Sequence, residues 1–316
     1  MNAEAAVAPV ISLVTPALNE AGNLAPLHRR LTAVMEATGL SWEWIVVDDH
    51  SADATFTVIT EIAARDARAA GLRLARNSGS HAAILCGLAA ARGEAAIVLA
   101  ADGQDPPEEI PRLIAAWRAG AAVVWAERRA RGNPSPADRV ASRAFHGLLR
   151  CLSGLETLTR GGSDFFLVSR PVIQVVNTLG ERNTNVEALL AWIGFDQVAI
   201  RYDKDARVGG KSGWTVAKKL KLFLDSVTGF SVRPLQAISV LGFVIATLGF
   251  AYAAIVIANA IFGQPVEGWS SLMVVVLIIG GVQMVMLGIL GEYLWRALDE
   301  SRGRPRYIVE RRTDRS

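Results

Sequence analysis

The stretch Ile97-Val98-Leu99-Ala100-Ala101-Asp102-Gly103-Gln104-Asp105-Pro106-Pro107-Glu108 decides the fold. Its apolar half, Ile97 to Ala101, reads as a buried parallel strand, and the acidic turn and proline pair behind it end regular structure. A carboxylate therefore stands at the carboxyl end of a strand, the edge at which open α/β sheets bind ligands. Asp102 and Gln104, with flexible Gly103 between them, suit an oxygen-liganded divalent cation, and such a cation would hold a diphosphate. The plainer alternative is a simple Asp-Gly turn.

Upstream, the same arrangement recurs. Val10 to Thr15 is a β-branched run closed by Pro16, and Asn19 to Asn23 turns into a helix expected from near Leu24. That turn carries neither G-x-G-x-x-G nor the Walker pattern, which removes the dinucleotide and P-loop readings. Trp44 to Val47 is a second strand running into Asp48-Asp49-His50-Ser51-Ala52-Asp53. Ser51 or Asp53 is placed to cap a helix expected over 54–70. Asp48 and Asp49 precede the cap and are placed to meet donors on a base or ribose. Leu72 to Ala75 gives a third strand, Arg76 to Gly79 a turn, and His81 to Ala91 a small-residue helix. Three βα units in about 100 residues predict a doubly wound α/β fold with a mostly parallel sheet.

In this order, Val14-Thr15-Pro16-Ala17-Leu18-Asn19-Glu20, Val47 to Thr55, Arg76-Asn77-Ser78-Gly79 and Ala101 to Glu108 resemble the successive motifs of the family 2 glycosyltransferases. Arg207 to Trp214, Phe230-Ser231-Val232-Arg233-Pro234-Leu235 and Gly291-Glu292-Tyr293-Leu294 with Arg304-Pro305-Arg306-Tyr307 resemble the polyprenyl-phosphate branch of that family. The resemblance implies a GT-A nucleotide-sugar-binding fold and single displacement with inversion. Its donor site would include Pro16, Leu18, Glu20, Asp48, Asp49 and Asp102, and its catalytic set Asp102, Asp164 and Arg207. Two departures stand out. The family's D-x-D pair has Ala100 in its first position, leaving Asp102 and Gln104 as protein ligands for Mg²⁺ or Mn²⁺. Leu18 stands where relatives often carry Tyr. Mg²⁺ often uses one or two carboxylates and completes its shell with phosphate and water.

The acceptor implied, a polyprenyl phosphate, is already anionic, so a strong general base is unnecessary. His50 falls in a turn, and His28, His81 and His146 fall in expected helices, where solvation or packing explains them. Candidates for the acceptor phosphate are Arg128, after an expected strand Ala121 to Ala126, then Arg139 and Ser142 on a helix, and Arg207, Lys211 and Ser212 in a Gly-rich segment. Arg offers phosphate a bidentate fork, whereas Arg143 reads as a solvated surface residue. The glycines beside Lys211 would let that segment close over bound substrates. Asp164 matches the acidic position the family places near the donor sugar; capping or turning is its plainer reading.

Hydrophobic residues make up 51% of the 316 and the mean hydropathy is +0.30, too apolar for an ordinary soluble chain. The excess lies in Leu235 to Phe262 and Ser270 to Gly291, both free of Asp, Glu, Lys and Arg and both long enough to cross a bilayer. No secretory signal is legible in the first ten residues. Lys218, Lys219, Lys221 and Arg233 precede the first span and Arg296, Arg302, Arg304 and Arg306 follow the second, with no Lys or Arg between. Both ends of the hairpin are therefore expected on the cytoplasmic side of a bacterial inner membrane. The formal charge of +3 conceals this clustering, which suits an anionic lipid bilayer rather than nucleic acid. Cys86 and Cys151 are expected to be free thiols in a reducing compartment. The expected organisation is a catalytic domain over 1–215, an amphipathic interfacial helix over 216–233, a hairpin over 234–295 and a tail over 296–316. Gly242, Gly249, Gly280, Gly281 and Gly288 permit close helix packing, including between copies in a homo-oligomer.

Two other readings compete. A processive polysaccharide synthase would share the N-terminal motifs, yet Gln-x-x-Arg-Trp and additional spans are absent. A catalytically inactive homologue that binds nucleotide sugar or scaffolds a membrane complex would explain Ala100.

Overall fold

The computed structural model describes residues 9–128, 164–179, 185–202, 233–261 and 268–313. In chain order the elements are β1 (Ile11–Ala17), α1 (Ala21–Thr38), β2 (Trp42–Asp48), α2 (Thr55–Arg65), β3 (Ala69–Leu74), α3 (Ser80–Ala90), β4 (Ala95–Val98), a 3₁₀ turn (Pro107–Glu109), α4 (Ile110–Arg118) and β5 (Val123–Arg128). They continue with β6 (Phe166–Ser169), α5 (Arg170–Thr178), α6 (Val186–Trp192), β7 (Gln197–Tyr202), α7 (Arg233–Ile261), α8 (Trp269–Ser301) and β8 (Val309–Arg312).

Alternation along the strands explains why they form one covered sheet. In β1, Ile11 and Leu13 pack on one face and Val14 on the other; in β2, Trp42, Trp44 and Val46 oppose Ile45 and Val47. Both faces are apolar, so both need helices. Buried residues of α1, α2 and α4 join the first face, and those of α3, α5 and α6 the second. Each fully buried Val, Leu or Ile contributes roughly 1.5–3 kcal/mol. The strand order is β7-β5-β6-β4-β1-β2-β3-β8. The β4-β1-β2-β3 centre is parallel, while β6 and β8 run antiparallel to their neighbours. This is the mixed, mostly parallel GT-A arrangement.

Several boundaries differ from the sequence expectation. The helix expected over 54–70 stops at Arg65, and β3 starts at Ala69, because Ala69, Ala70 and Gly71 pair in parallel with Trp44, Ile45 and Val46. Alanines favour helix locally, and the sheet overrides them. β4 ends at Val98 rather than Ala101, although Leu99 and Ala101 stay buried. The proline pair begins structure instead of ending it: Pro107 opens the 3₁₀ turn that leads into α4. Arg128 is the last residue of β5 rather than a residue following it.

α7 and α8 hold 29 and 33 residues and are long and apolar enough to cross a membrane. They touch each other, with Met286 against Gly242. The segment expected as a tail instead supplies β8, which pairs with β3 through Leu72, Arg73 and Leu74. The interfacial helix expected over 216–233 lies outside the described residues, apart from Arg233, which opens α7.

Candidate active site

The carboxyl ends of β1 and β2 are tied to each other before any ligand is considered. Asn19 has φ +58° and His50 φ +63°, a left-handed conformation in which Asn is well tolerated. The Asn19 amide donates to Ser51 Oγ at 2.9 Å, and Asn19 Oδ1 accepts from the Ala52 amide at 2.9 Å. The Glu20 amide donates to Thr55 Oγ1, and Asp53 accepts from the amides of Ala21 and Thr55. Asp53 thus holds the starts of α1 and α2 together, which is the capping expectation extended to a second helix. Pro16 sits half-buried in β1 and Glu20 half-buried at the mouth of α1, while Leu18 is 42% exposed between them. An exposed leucine at a sheet edge offers an apolar platform for a flat ligand.

Asp48 and Asp49 are both buried. Asp48 accepts from the Ser51 amide at 2.8 Å and pairs with Arg73 at 2.8 Å. Asp49 takes the amides of Ser78 and Gly79 at 2.7 and 2.8 Å. Burial pushes the Asp49 carboxyl up, against the opposing pull of those two amides. Asp49 therefore fixes the β3 turn, Arg76 to Gly79, onto the β2 edge, and Asp48 ties β2 to Arg73 of β3. Arg73 also bonds the Ser51 carbonyl and Glu310 of β8. The sequence pointed to the acids but not to Arg73, whose partner lies 25 residues away.

Beyond β4 the chain makes the loop that carries Asp102. Asp102 and Gln104 are half-buried, Gly103 has φ +71°, and Asp102 Oδ1 accepts from the Gln104 amide at 3.1 Å. Asp105, a residue sequence reasoning passed over, is 3% exposed and closes this loop. Its carboxylate accepts from the Ala100 amide at 3.1 Å and from the Tyr202 hydroxyl at 2.9 Å. An acid directly before Pro-Pro, with a Tyr ending a later strand, was the only available signal. Among the described residues no three His, Cys, Asp or Glu side chains converge as a closed metal cage. One carboxylate with an adjacent amide oxygen fits a divalent ion whose remaining ligands come from a diphosphate and water.

β6 runs antiparallel to β4 with Phe166 opposite Val98, so Asp164, two residues before Phe166, lies on the same edge as the Asp102 loop. Asp164 is exposed, and Glu187 is 9% exposed in the first turn of α6, where burial first and then the nearby Asp164 push its carboxyl up. Asn185 caps that helix through the amides of Glu187 and Ala188, and His81 Nδ1 lies 3.5 Å from the Val186 amide. Glu187 was not singled out from the sequence; Asn-x-Glu at a helix start reads there as ordinary capping.

The remaining expectations divide plainly. His28 stacks on Trp44 with ring centroids 5.4 Å apart and bonds Asp66 at 3.0 Å, and His50 lies 3.1 Å from the Leu74 carbonyl. Both are accounted for by local structure. Cys86 is a buried free thiol whose pKa burial pushes up to about 12. Arg139, Ser142, Arg143, His146, Cys151, Arg207, Lys211 and Ser212 lie outside the described residues, as does the side chain of Arg128.

Residues 12–172 match the family Glycosyl transferase family 2. The bactoprenol glucosyl transferase of Shigella phage SfV is 35% identical over 301 residues, covering 95% of this chain and 98% of that one. A prophage bactoprenol glucosyl transferase homolog of Escherichia coli (strain K12) is 34% identical over 302 residues, covering 95% and 98%. The undecaprenyl-phosphate 4-deoxy-4-formamido-L-arabinose transferase of Edwardsiella ictaluri (strain 93-146) is 34% identical over 304 residues, covering 95% and 93%. Among solved structures, glucosyl-3-phosphoglycerate synthase from Mycobacterium tuberculosis aligns at TM-score 0.48 and 19% identity over 70% of this chain and 78% of that one, too distant to transfer a ligand. Motif order, sheet-edge carboxylates and full-length likeness agree, and the chain belongs to glycosyl transferase family 2, as a member of its polyprenyl-phosphate glycosyltransferase branch.

Proposed function

We propose that this chain moves one sugar from a nucleotide-sugar donor, a UDP-sugar, onto polyprenyl phosphate at the cytoplasmic face of a bacterial inner membrane, with inversion at the anomeric carbon. The observation that supports this most is the end-to-end likeness, apolar helix pair included, to relatives named for bactoprenol and undecaprenyl-phosphate transfer. In the reaction, a phosphate oxygen of the acceptor attacks the anomeric carbon, and the bond from that carbon to the nucleoside diphosphate breaks.

The chain's own residues would divide the work by where the sheet edge holds them. Leu18, beside Pro16 and Glu20, offers the base an apolar surface, and Asp48 and Asp49, buried beneath the edge, would act on base or ribose by holding the Arg73 side chain and the Ser78-Gly79 turn in place. Asp102 and Gln104 would hold Mg²⁺ or Mn²⁺ against the diphosphate. An ion held there supplies charge neutralisation for the leaving group. Asp164 faces the donor sugar and receives its hydroxyls. Arg128, Arg139, Ser142, Arg207, Lys211 and Ser212 would bind the acceptor phosphate, Arg207 also belonging to the catalytic set. The basic and apolar segment 216–233 would lay this domain on the bilayer, and the hairpin would anchor it there.

The test is transfer of radiolabelled sugar from a panel of UDP- and GDP-sugars to undecaprenyl phosphate by detergent-purified protein, beside Asp102→Asn. Labelled lipid from one UDP-sugar, lost with chelator and cut at least about 100-fold by the substitution, is the expected result. Nucleotide binding without lipid product from any donor would favour the inactive homologue to which Ala100 points.

A further inference from the structure

Arg73, one residue before the end of β3, joins three segments of the chain. Its guanidinium donates from Nη1 to Asp48 Oδ2 at 2.8 Å, from Nη2 to the Ser51 carbonyl at 3.1 Å, and from Nε to Glu310 Oε2 at 3.2 Å. The first two partners belong to the edge where β1 and β2 end. Asp48 is fully buried, and Ser51 gives its amide to Asp48 Oδ1 while its Oγ accepts the amide of Asn19, the residue after Leu18. The third partner stands in β8, 237 residues further along the chain and beyond the two long apolar helices.

β8 and its flanks are fixed to β3 at both ends. The Ala75 amide donates to the Ile308 carbonyl at 2.8 Å, and at the other end the Gly71 amide donates to Thr313 Oγ1 at 2.8 Å and the Thr313 amide to the Gly71 carbonyl at 3.0 Å. Arg306 bonds the Leu179 carbonyl, and Tyr307 and Val309 pack half-buried on the core face that α3 covers. Glu310 therefore arrives at a set position, its other oxygen 3.8 Å from Arg311 Nε. A guanidinium is a planar fork, so a carboxylate that holds Nε also fixes the plane in which both Nη atoms donate.

We propose that Glu310 is a positioning residue for the nucleotide end of the donor: from the strand that follows the apolar helix pair, it sets the plane of the Arg73 guanidinium, and Arg73 holds Asp48 and the Ser51 turn. This rests on the reading that the β1–β2 edge receives a base and ribose. The Glu310 side chain is 38% exposed, and an ion pair so open to water adds little stability. What it supplies is geometry. The segment expected from the sequence as a tail thus becomes part of the donor site.

Calorimetric titration of UDP and of GDP into the full chain in detergent with Mg²⁺ tests this with Glu310→Ala, Glu310→Gln, Arg73→Lys and the double variant. The wild type is expected to bind one of the two nucleotides. Glu310→Ala should weaken that Kd roughly three- to tenfold. Glu310→Gln, whose amide oxygen still accepts from Nε, should stay within about twofold. Arg73→Lys keeps a cation beside Asp48 without the fork and should lose about tenfold or more. In that background Glu310→Ala should cost nothing further.

In transfer to undecaprenyl phosphate, Glu310→Ala should raise donor KM and leave kcat within about twofold. Its melting temperature should stay within about 3 °C of wild type. An unchanged Kd in Glu310→Ala overturns the proposal, with a lowered melting temperature marking a purely structural role. So does a loss in Glu310→Gln as large as in Glu310→Ala, and losses that add in the double variant overturn the route through Arg73. Binding of neither nucleotide by the wild type overturns the nucleotide-sugar reading itself, and this role with it.

Discussion

Asp105 and Tyr202 show how much of this site depends on a single buried bond. The Tyr202 hydroxyl donates to Asp105 at 2.9 Å, and the other Asp105 oxygen holds the Ala100 amide, so one carboxylate spans the Asp102 loop and the end of β7. Removing a donor to a buried acceptor costs roughly 1–3 kcal/mol. Tyr202→Phe is therefore expected to lower the melting temperature by several degrees and, by loosening the loop that presents Asp102, to raise donor KM more than it lowers kcat. Differential scanning calorimetry and initial rates check both halves; an unchanged KM would detach Asp105 from the donor site. At this scale the sequence was legible only in part. Asp48, Asp49 and Asp102 announced themselves by standing at strand ends. Their partners, the Arg73 side chain and the backbone amides of Ser78 and Gly79, did not, because bonds between residues this far apart in the chain leave no local pattern.

Among the elements, α3 lies against β1 and β2 more closely than its small residues alone would reveal. A Cβ on Gly87 would stand 2.3 Å from Val14 Cγ1 and 3.3 Å from Val47 Cγ2. Both valines are fully buried in neighbouring strands, and β-branched side chains have few rotamers to retreat into. Gly87→Ala is expected to destabilise by about 1–3 kcal/mol despite the helix-propensity gain of up to about 1 kcal/mol. At Gly22 in α1 nothing lies within 4 Å, so Gly22→Ala should be neutral or stabilising by a few tenths up to about 1 kcal/mol. Chemical denaturation of the two variants side by side separates steric from propensity effects, and equal shifts would show that the α3 contact is looser than described. The elements themselves were legible where apolar runs stood alone, as in β1 and β2. They were misread where alanine dominated: Ala69-Ala70-Gly71 carries neither period, and Ile59, 2.2 Å from a Cβ placed on Gly71, explains why a glycine is needed once that run becomes a strand.

For the molecule as a whole, β8 constrains how the hairpin sits relative to the sheet. α8 ends at Ser301 and β8 begins at Val309, so the intervening chain reaches at most roughly 28 Å when extended. A bilayer's hydrocarbon core is about 30 Å thick, so the chain cannot recross it to reach β3. The end of α8 must then lie on the catalytic domain's side, and if α7 and α8 both span, so must the start of α7. By the positive-inside bias, the clustered Lys and Arg at the two outer ends lead us to expect that side to be the cytoplasm. The hydropathy pattern and charge bias carried the topology expectation; the return of 309–312 into the sheet, which was not legible from so short a polar segment, adds a geometric reason. With Cys86→Ala and Cys151→Ser as background, Glu267→Cys is expected to react with an impermeant maleimide in intact cells. Ser301→Cys is expected to react only after lysis. The reverse pattern would place the sheet outside, where no nucleotide sugar is available, and labelling of both positions in intact cells would mean that the helices lie along the membrane instead of crossing it.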